Sequence, residues 1–275
     1  MNRFDKIRLI VCDVDGTLYD WDRILSPRTI RVINELHERD YGFSIASGRP
    51  YEEIVEYADR WGFPFQFDVL IGLNGAELFS LKQNRLYEYY KLSTEKLKKA
   101  TEIMKRFDCN PFMYWHQKLL CVKVDDMIIK SSKTSKREIV VADDISKLYE
   151  EENFKIMFRM SEEETARAEA WLNAHPDPDF TALKTQSTLI EFMDPRISKG
   201  FALEELRDQG EYKLDEIMAF GDTTNDNSMI TTAGWGVCLA NGSEDTKAAA
   251  DDITRYDCKH DGFADYIEEH LFRRN

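Results

Sequence analysis

Arg8-Leu-Ile-Val-Cys12 is a short, nearly unbroken apolar run that stops abruptly at Asp13-Val14-Asp15-Gly16-Thr17. A run of that length, rich in branched residues and closed by a turn signal, predicts a strand buried on both faces. Ser26-Pro27 predicts a helix start, with Ser as N-cap and Pro in the first helical position. Ile30, Ile33, Leu36 and His37 then recur at helical spacing up to about Arg39. Tyr41 to Ala46 predicts a second strand, ending in Ser47-Gly48-Arg49-Pro50, and a helix from about Tyr51 to Trp61 follows. Val69-Leu-Ile-Gly72 predicts a third strand, ending in Asn74-Gly75. Alternation of this kind implies parallel strands with crossover helices. The polar turns at all three strand ends then gather on one edge of the sheet.

After Asn74 the pattern changes. Glu77 to Phe79 and Leu86 to Tyr90 predict a hairpin around Lys82-Gln83-Asn84. Ser93 to Phe107 predicts a helix with Leu97, Ala100, Met104 and Phe107 on one face. Strands are predicted at Phe112–Trp115, Leu119–Val124, Phe154–Met160 and Leu189–Phe192, and a helix at Glu162–Ala174. The basic, serine-rich stretch Lys130–Arg137 reads as a solvated loop, with contact to a substrate phosphate as the alternative. Strand–helix alternation returns with a helix from Lys199 to about Arg207. The strand Ile217–Phe220 ends in Gly221-Asp222-Thr-Thr-Asn225-Asp226, and Trp235–Leu239 ends in Ala240-Asn241-Gly242. A last helix is predicted from about Phe263 to Leu271. The expected architecture is an α/β core, residues 1–84 and 194–275, interrupted by an α+β insertion over residues 85–193.

Composition narrows the function. With 275 residues, 43% hydrophobic and 32% charged, the chain can bury a substantial core, and no stretch is apolar enough to cross a bilayer. Met1 to Lys6 lacks the apolar region and cleavage site of a secretion signal, so a cytoplasmic location is expected. The five cysteines are scattered, with no Cys-x-x-Cys pair, which indicates neither a zinc site nor a disulfide framework; Cys12 and Cys121 lie in apolar runs and read as buried thiols. A net charge of −14 argues against nucleic acid or an anionic membrane as partner. An anionic substrate would have to be drawn in by local cations, for which Arg49 and Lys199 are the candidates, and by a metal.

The acidic turns supply the chemistry. A lone Asp after a strand is an ordinary turn former. Here Asp13, Asp15 and Asp222 would bring three carboxylates to one sheet edge, where ligands bind in open parallel sheets. Such a cluster needs a cation, and ligation by carboxylates, carbonyl and water suits Mg²⁺. A carboxylate there can attack phosphorus and split a hard displacement into two steps. Asp15 is placed to protonate the leaving oxygen and then help a water attack. Ser47, the Gly48 amide and Lys199 can hold the phosphoryl oxygens. Each of these helpers alone could be an ordinary turn or surface residue. Lys199, though, sits at a helix start against the helix dipole.

Together these residues resemble the haloacid dehalogenase superfamily, and in particular its Cof-type phosphatases. Four motifs match in order: Asp13-Val-Asp15-Gly-Thr-Leu, Ile45-Ala-Ser47-Gly-Arg-Pro50, Lys199-Gly200, and Gly221-Asp222-x-x-Asn225-Asp226. Asn74-Gly75-Ala76 and the size and placement of the insertion resemble the same branch. The resemblance implies a Rossmann-like core with an inserted cap. It implies Asp13 as nucleophile and Asp15 as general acid/base, with Mg²⁺ on Asp13, the Asp15 backbone carbonyl and Asp222. Phosphate would be held by the Val14 amide, Ser47, Gly48, Lys199 and Asn225. Asp226 would support the metal shell, and Asn74 would touch substrate or cap. Tyr19-Asp20-Trp21-Asp22 is an unusual continuation of the first motif but removes no needed group.

The implied activity is hydrolysis of small phosphorylated metabolites, sugar phosphates or similar, by a monomer or small homo-oligomer. Asp15 favours phosphoester hydrolysis over dehalogenation, because a leaving halide needs no proton. A phosphomutase of the same superfamily shares both acids and remains the alternative, as does a non-catalytic phospho-ligand-binding relative. A receiver-like phospho-acceptor has no use for a large insertion. Phe112, Tyr114, Trp115 and His116 form an aromatic patch that reads as core packing, with stacking on a substrate as the alternative.

Overall fold

The computed structural model describes residues 3–20 and 24–273, so the Trp21-Asp22 continuation of the first motif lies outside the described residues. In chain order the first strands are β1 Leu9–Cys12, β2 Gly42–Ala46, β3 Val69–Gly72, β4 Glu77–Ser80 and β5 Arg85–Glu88. Next come β6 Asn110–Trp115, β7 Lys118–Cys121, β8 Ile139–Val141, β9 Lys155–Arg159, β10 Thr181–Gln186 and β11 Leu189–Met193. The last are β12 Ile217–Gly221, β13 Trp235–Cys238 and β14 Asp252–Ile253. The helices are α1 Pro27–Glu38, α2 Tyr51–Ile54, α3 Tyr57–Arg60, α4 Thr94–Met104 and α5 Asp126–Ser135. They continue with α6 Glu162–Ala174, α7 Lys199–Asp208, α8 Asn227–Thr232, α9 Glu244–Ala249 and α10 Gly262–Ile267.

The chain divides into two compact units, Met1–Tyr89 with Ile197–Asn275, and Tyr90–Arg196. The first holds an eight-stranded sheet in the order β14-β13-β12-β1-β2-β3-β4-β5. β1 pairs in parallel with β12 and with β2, Val11 lying opposite Ala219 and Ser44. Its side chains alternate between two cores, as a doubly buried strand requires. Ile10 and Cys12 belong to the cluster of Val32, Ile33, Leu36, Phe263 and Ile267, while Leu9 and Val11 join Leu203, Leu206 and Met229. Ser26 caps α1 by accepting from the Thr29 amide at 3.0 Å. β4 and β5 add an antiparallel edge. That pairing is why the second unit starts at Tyr90 rather than at residue 85.

The second unit is a six-stranded sheet in the order β10-β11-β9-β6-β7-β8, mostly antiparallel. One face carries Met113, Leu120, Ile156, Phe158, Ile190 and Phe192 in a core with Leu97, Ala100 and Met104 of α4 and Ala168 of α6. The other carries Phe112, Leu119, Cys121, Met157 and Leu189 with Ile128 of α5.

Four sequence expectations change. Lys130–Arg137 is no loop: residues 126–135 are helical, capped by Asp125, whose side chain accepts from the Ile128 amide at 2.8 Å. The polar Ser and Lys residues hid the apolar Ile128 that anchors it. The helix expected from Tyr51 to Trp61 is two single turns, with ψ opening to −4° at Glu56 between them. The aromatic patch is divided by strand alternation. Phe112 and Tyr114 share one sheet face, whereas His116, at φ 44°, belongs to the hairpin turn. α8, α9, β8, β10 and β14 were not anticipated; they are short or, like β10, only half-buried. All five cysteines are free thiols, with Cys12, Cys121 and Cys238 buried. Among the described residues no helix is long and apolar enough to cross a membrane.

Candidate active site

Asp13 continues β1 by one residue, its amide donating to the Phe220 carbonyl of the neighbouring β12 at 2.9 Å. The Asp13 carboxylate is thereby fixed beside the turn that follows β12. The chain then reverses: Thr17, Leu18 and Tyr19 all donate to the Val14 carbonyl. Gly16 makes that reversal at φ 95°, and a Cβ there would lie 2.4 Å from Asp222 Oδ2, so the position accepts no side chain. Thr17 Oγ1 donates to Asp222 Oδ1 at 2.9 Å, and Asn241 Nδ2 donates to the Gly16 carbonyl at 2.8 Å. Three strand-end turns are thus tied into one rim.

Lys199 is fully buried at the first position of α7. Its Nζ donates to Asp13 Oδ1 at 2.5 Å and to Asp226 Oδ1 at 2.6 Å. Asp226 Oδ2 accepts from the amides of Asp222 at 2.9 Å and Thr223 at 3.1 Å. Both oxygens of Asp226 are therefore engaged, one by the lysine and one by the loop it organises. One oxygen from each of Asp13, Asp222 and Asp226 lies within 4.8 Å of the others.

Three buried carboxylates facing one ammonium leave an excess of negative charge in a low-dielectric place. Burial drives Asp13 well above the ordinary carboxylate range, Lys199 opposes it, and Asp226 and Asp222 add to it. Burial and then Asp226 push Asp222 up to about 7, against the Thr17 hydrogen bond. Burial alone would lower Lys199, but Asp13 and Asp226 outweigh it and hold its proton more firmly than usual. Carboxylates raised this way are short of positive charge. Hard oxygen donors in such a cluster fit a small divalent cation, with Asp13 and Asp222 free to ligate while Asp226 orients the loop.

Ser47 and Gly48 follow β2. The Ser47 carbonyl accepts from the Asn74 amide at 2.9 Å, and Ser47 Oγ accepts from the Arg49 amide at 3.2 Å. Asn74 is buried in the left-handed region at φ 57°, and Asn225 Nδ2 reaches its Oδ1 at 3.5 Å. Gly75 follows at φ 109°; a Cβ there would lie 2.2 Å from the Ser198 carbonyl, so this turn presses against the start of α7. Ser47, Gly48, Asn74, Asn225 and Lys199 therefore share the rim with Asp13 and Asp222.

Asp15 stands apart. Its side chain is 45% exposed and pairs with Arg49 at 3.0 Å, while Arg49 pairs with Glu53 at 2.5 Å. Arg49 is thus bound to carboxylates at the rim. Thr17, Glu53 and Asn241 were missed as rim residues. Thr17 lay inside the first motif, Glu53 stands four residues from Arg49, and Asn241 ends a strand; each signal was present but weak.

A parallel sheet with a carboxylate cluster at its strand ends and an α+β insertion defines the class: a hydrolase built on an α/β core with an inserted unit. The family model of haloacid dehalogenase-like hydrolases matches residues 10–267. The chain belongs to this family, as one of its phosphatases. Among curated relatives, the 5-amino-6-(5-phospho-D-ribitylamino)uracil phosphatase YitU of Bacillus subtilis is 24% identical, over 97% of this chain and 98% of its own. The phosphatase YwpJ of Bacillus subtilis is 23% identical over 92% and 96%. The crystal structure of TM0651 from Thermotoga maritima superposes with a TM-score of 0.80 at 25% identity, covering 96% of this chain and 97% of that one.

Proposed function

We propose that this phosphatase hydrolyses small phosphorylated metabolites in the cytoplasm through a phosphoryl group carried transiently by Asp13. The observation that carries the reading is the buried Asp13 carboxylate, with Lys199 Nζ at 2.5 Å and oxygens of Asp222 and Asp226 within 4.8 Å. In the first step an Asp13 oxygen bonds to phosphorus as the ester P–O bond breaks. Asp15 gives its proton to the departing alcohol oxygen. In the second, Asp15 takes a proton from a water whose oxygen bonds to phosphorus, releasing phosphate and the Asp13 carboxylate. Lys199, Ser47 Oγ, the amides of Val14 and Gly48, and Asn225 hold the phosphoryl oxygens and stabilise their charge. Asp13, the Asp15 carbonyl and Asp222 would hold Mg²⁺, which when bound would supply the positive charge that the carboxylate cluster lacks.

We assign the inserted unit as the cap that reads the leaving group. The ribitylamino-uracil phosphate named for the Bacillus subtilis relative is a first candidate substrate, beside sugar phosphates. Phosphate release from p-nitrophenyl phosphate and from a metabolite panel, with Mg²⁺ and with EDTA, tests the reading. Metal-dependent turnover that falls at least about 10³-fold in Asp13→Asn is expected. Turnover that survives in Asp13→Asn would overturn the nucleophile, and no turnover on any ester would overturn the phosphatase reading in this general form.

A further inference from the structure

The arginine of the Ser47-Gly48-Arg49-Pro50 turn stands between two carboxylates that hold it unequally. Its Nη1 donates to Glu53 Oε1 at 2.5 Å. On the other side, Nη2 lies 3.0 Å from Asp15 Oδ2 and 3.3 Å from Oδ1, and Nε lies 3.3 Å from Oδ2. Charge-assisted contacts of this kind settle at about 2.7–2.9 Å, so Arg49 is moored on Glu53 and only loosely engaged with Asp15. Exposure repeats the asymmetry: the Glu53 side chain is 9% exposed, Arg49 14% and Asp15 45%. Glu53 Oε2 is also buried without a hydrogen-bond partner among the described residues. A guanidinium is a rigid fork suited to both oxygens of one carboxylate. Glu53 therefore offers Arg49 a second seat when its contact with Asp15 is given up.

We propose that Arg49, moored to Glu53, is a positioning residue that tethers the Asp15 carboxyl group and yields it to the leaving-group oxygen during turnover. The proposal rests on Asp15 being the acid that protonates that oxygen. It differs from direct attraction of substrate phosphate, the role the sequence suggested for Arg49, in that the guanidinium acts on the Asp15 carboxylate it faces. The two roles separate on the leaving group. An alkyl alcohol must receive a proton as it departs, whereas p-nitrophenolate leaves without one. In the step that breaks the ester bond, which kcat/KM reports, a tether for the acid therefore matters for the first and hardly for the second, while a phosphate-binding cation matters equally for both; the later attack of water, with Asp15 as base, is common to both.

The experiment measures kcat and KM for an alkyl phosphate monoester and for p-nitrophenyl phosphate, in the full chain with Mg²⁺. Wild type, Arg49→Met, Arg49→Lys, Glu53→Gln, the Arg49→Met/Glu53→Gln double variant and Asp15→Asn are compared, with melting curves to establish folding. Arg49→Met is expected to lower kcat/KM about tenfold or more on the alkyl ester and less than about twofold on p-nitrophenyl phosphate. Arg49→Lys, which keeps the charge and loses the fork, is expected to behave like Arg49→Met. Glu53→Gln, nearly isosteric, is expected to show the same selectivity at about threefold, and the double variant to be no worse than Arg49→Met alone. Equal losses of kcat/KM on both esters, or recovery of kcat/KM on both in Arg49→Lys, would overturn the tether. Asp15→Asn separates the two levels. If its loss is selective for the alkyl ester and that of Arg49→Met is not, the tether alone fails. If Asp15→Asn lowers kcat/KM equally on both esters, the assignment of the acid fails and the tether falls with it.

Discussion

Each unit of this protein buries a lysine against carboxylate, and the two pairs differ in balance. In the inserted unit, Lys155 of β9 donates to Glu191 of β11 at 2.8 Å, with the side chains 4% and 8% exposed. The pair lies beside the Tyr114 ring, 5.6 Å from Lys155 Nζ, and the charge of Glu191 also reaches Arg159. At the rim of the α/β sheet, Lys199 meets Asp13 and Asp226, and Asp222 adds a third carboxylate. A buried pair offsets part of its desolvation within itself, and it adds little net stability over a well-packed apolar substitute. A cluster with carboxylates in excess holds charge for something that arrives. The difference between the two buried lysines thus lies in the charge around them: carboxylates outnumber the cation at Lys199, whereas Glu191 beside Lys155 also faces Arg159.

The largest expected effect tests the unbalanced side. Lys199→Met removes the only ammonium that touches Asp13 among the described contacts, and with it the donor proposed above to hold the transferring phosphoryl group. Turnover of p-nitrophenyl phosphate should fall about 10²–10³-fold, the range typical for losing a preorganised charge-stabilising donor. A loss of under about tenfold, measured with the protein folded and Mg²⁺ saturating, would make Lys199 a structural counterion like Lys155.

The Lys155–Glu191 pair should respond in stability. Lys155→Met takes from Glu191 the ammonium that touches it at 2.8 Å, and breaking a buried pair from one side costs about 3 kcal/mol. The Lys155→Met/Glu191→Leu double variant should recover most of that in urea or thermal unfolding, because two apolar groups satisfy each other. No comparable rescue is expected at the rim, where Asp226 also holds the Asp222 and Thr223 amides. If turnover fell further than stability in Lys155→Met, the pair would belong to substrate recognition and the contrast between the two lysines would dissolve.

Much of the rim was legible because strand ends announce themselves. The apolar run into Asp13, the strand into Asp222 and the Ser47-Gly48 turn each combine a short branched run with an abrupt polar stop, and parallel pairing carries the ends to one edge. The Lys155–Glu191 pair left no comparable signal. Both residues sit inside predicted strands, and their meeting depends on the β9–β11 register, which local sequence does not specify. The α5 helix was missed for the opposite reason: its polar composition spoke louder than the Asp125 cap and the buried Ile128. The Arg49–Glu53 mooring requires two turns to pack in one way, and a four-residue spacing alone gives many such pairs that never form.

The finest test asks whether the excess charge at the rim is real. Asp222 titrates near 7 in the folded chain, against 3.8 for an ordinary Asp, because burial and Asp226 disfavour its ionised form. Between those values the native state binds the proton that the unfolded state has released. Stability contributed by this group is therefore full below about pH 4 and is lost as pH rises through about 7. The side-chain amide introduced by Asp222→Asn has no such titration. In EDTA, Asp222→Asn should match wild type near pH 4.5 and exceed it at pH 8, by on the order of 5 °C in thermal midpoint. Saturating Mg²⁺ at pH 8 should reverse that order, because a cation bound by the native carboxylates stabilises wild type and has lost a ligand in the variant. A variant that is less stable than wild type at pH 8 in EDTA would mean that Thr17 alone satisfies the Asp222 charge. The rim would then hold no unbalanced charge for a metal to neutralise.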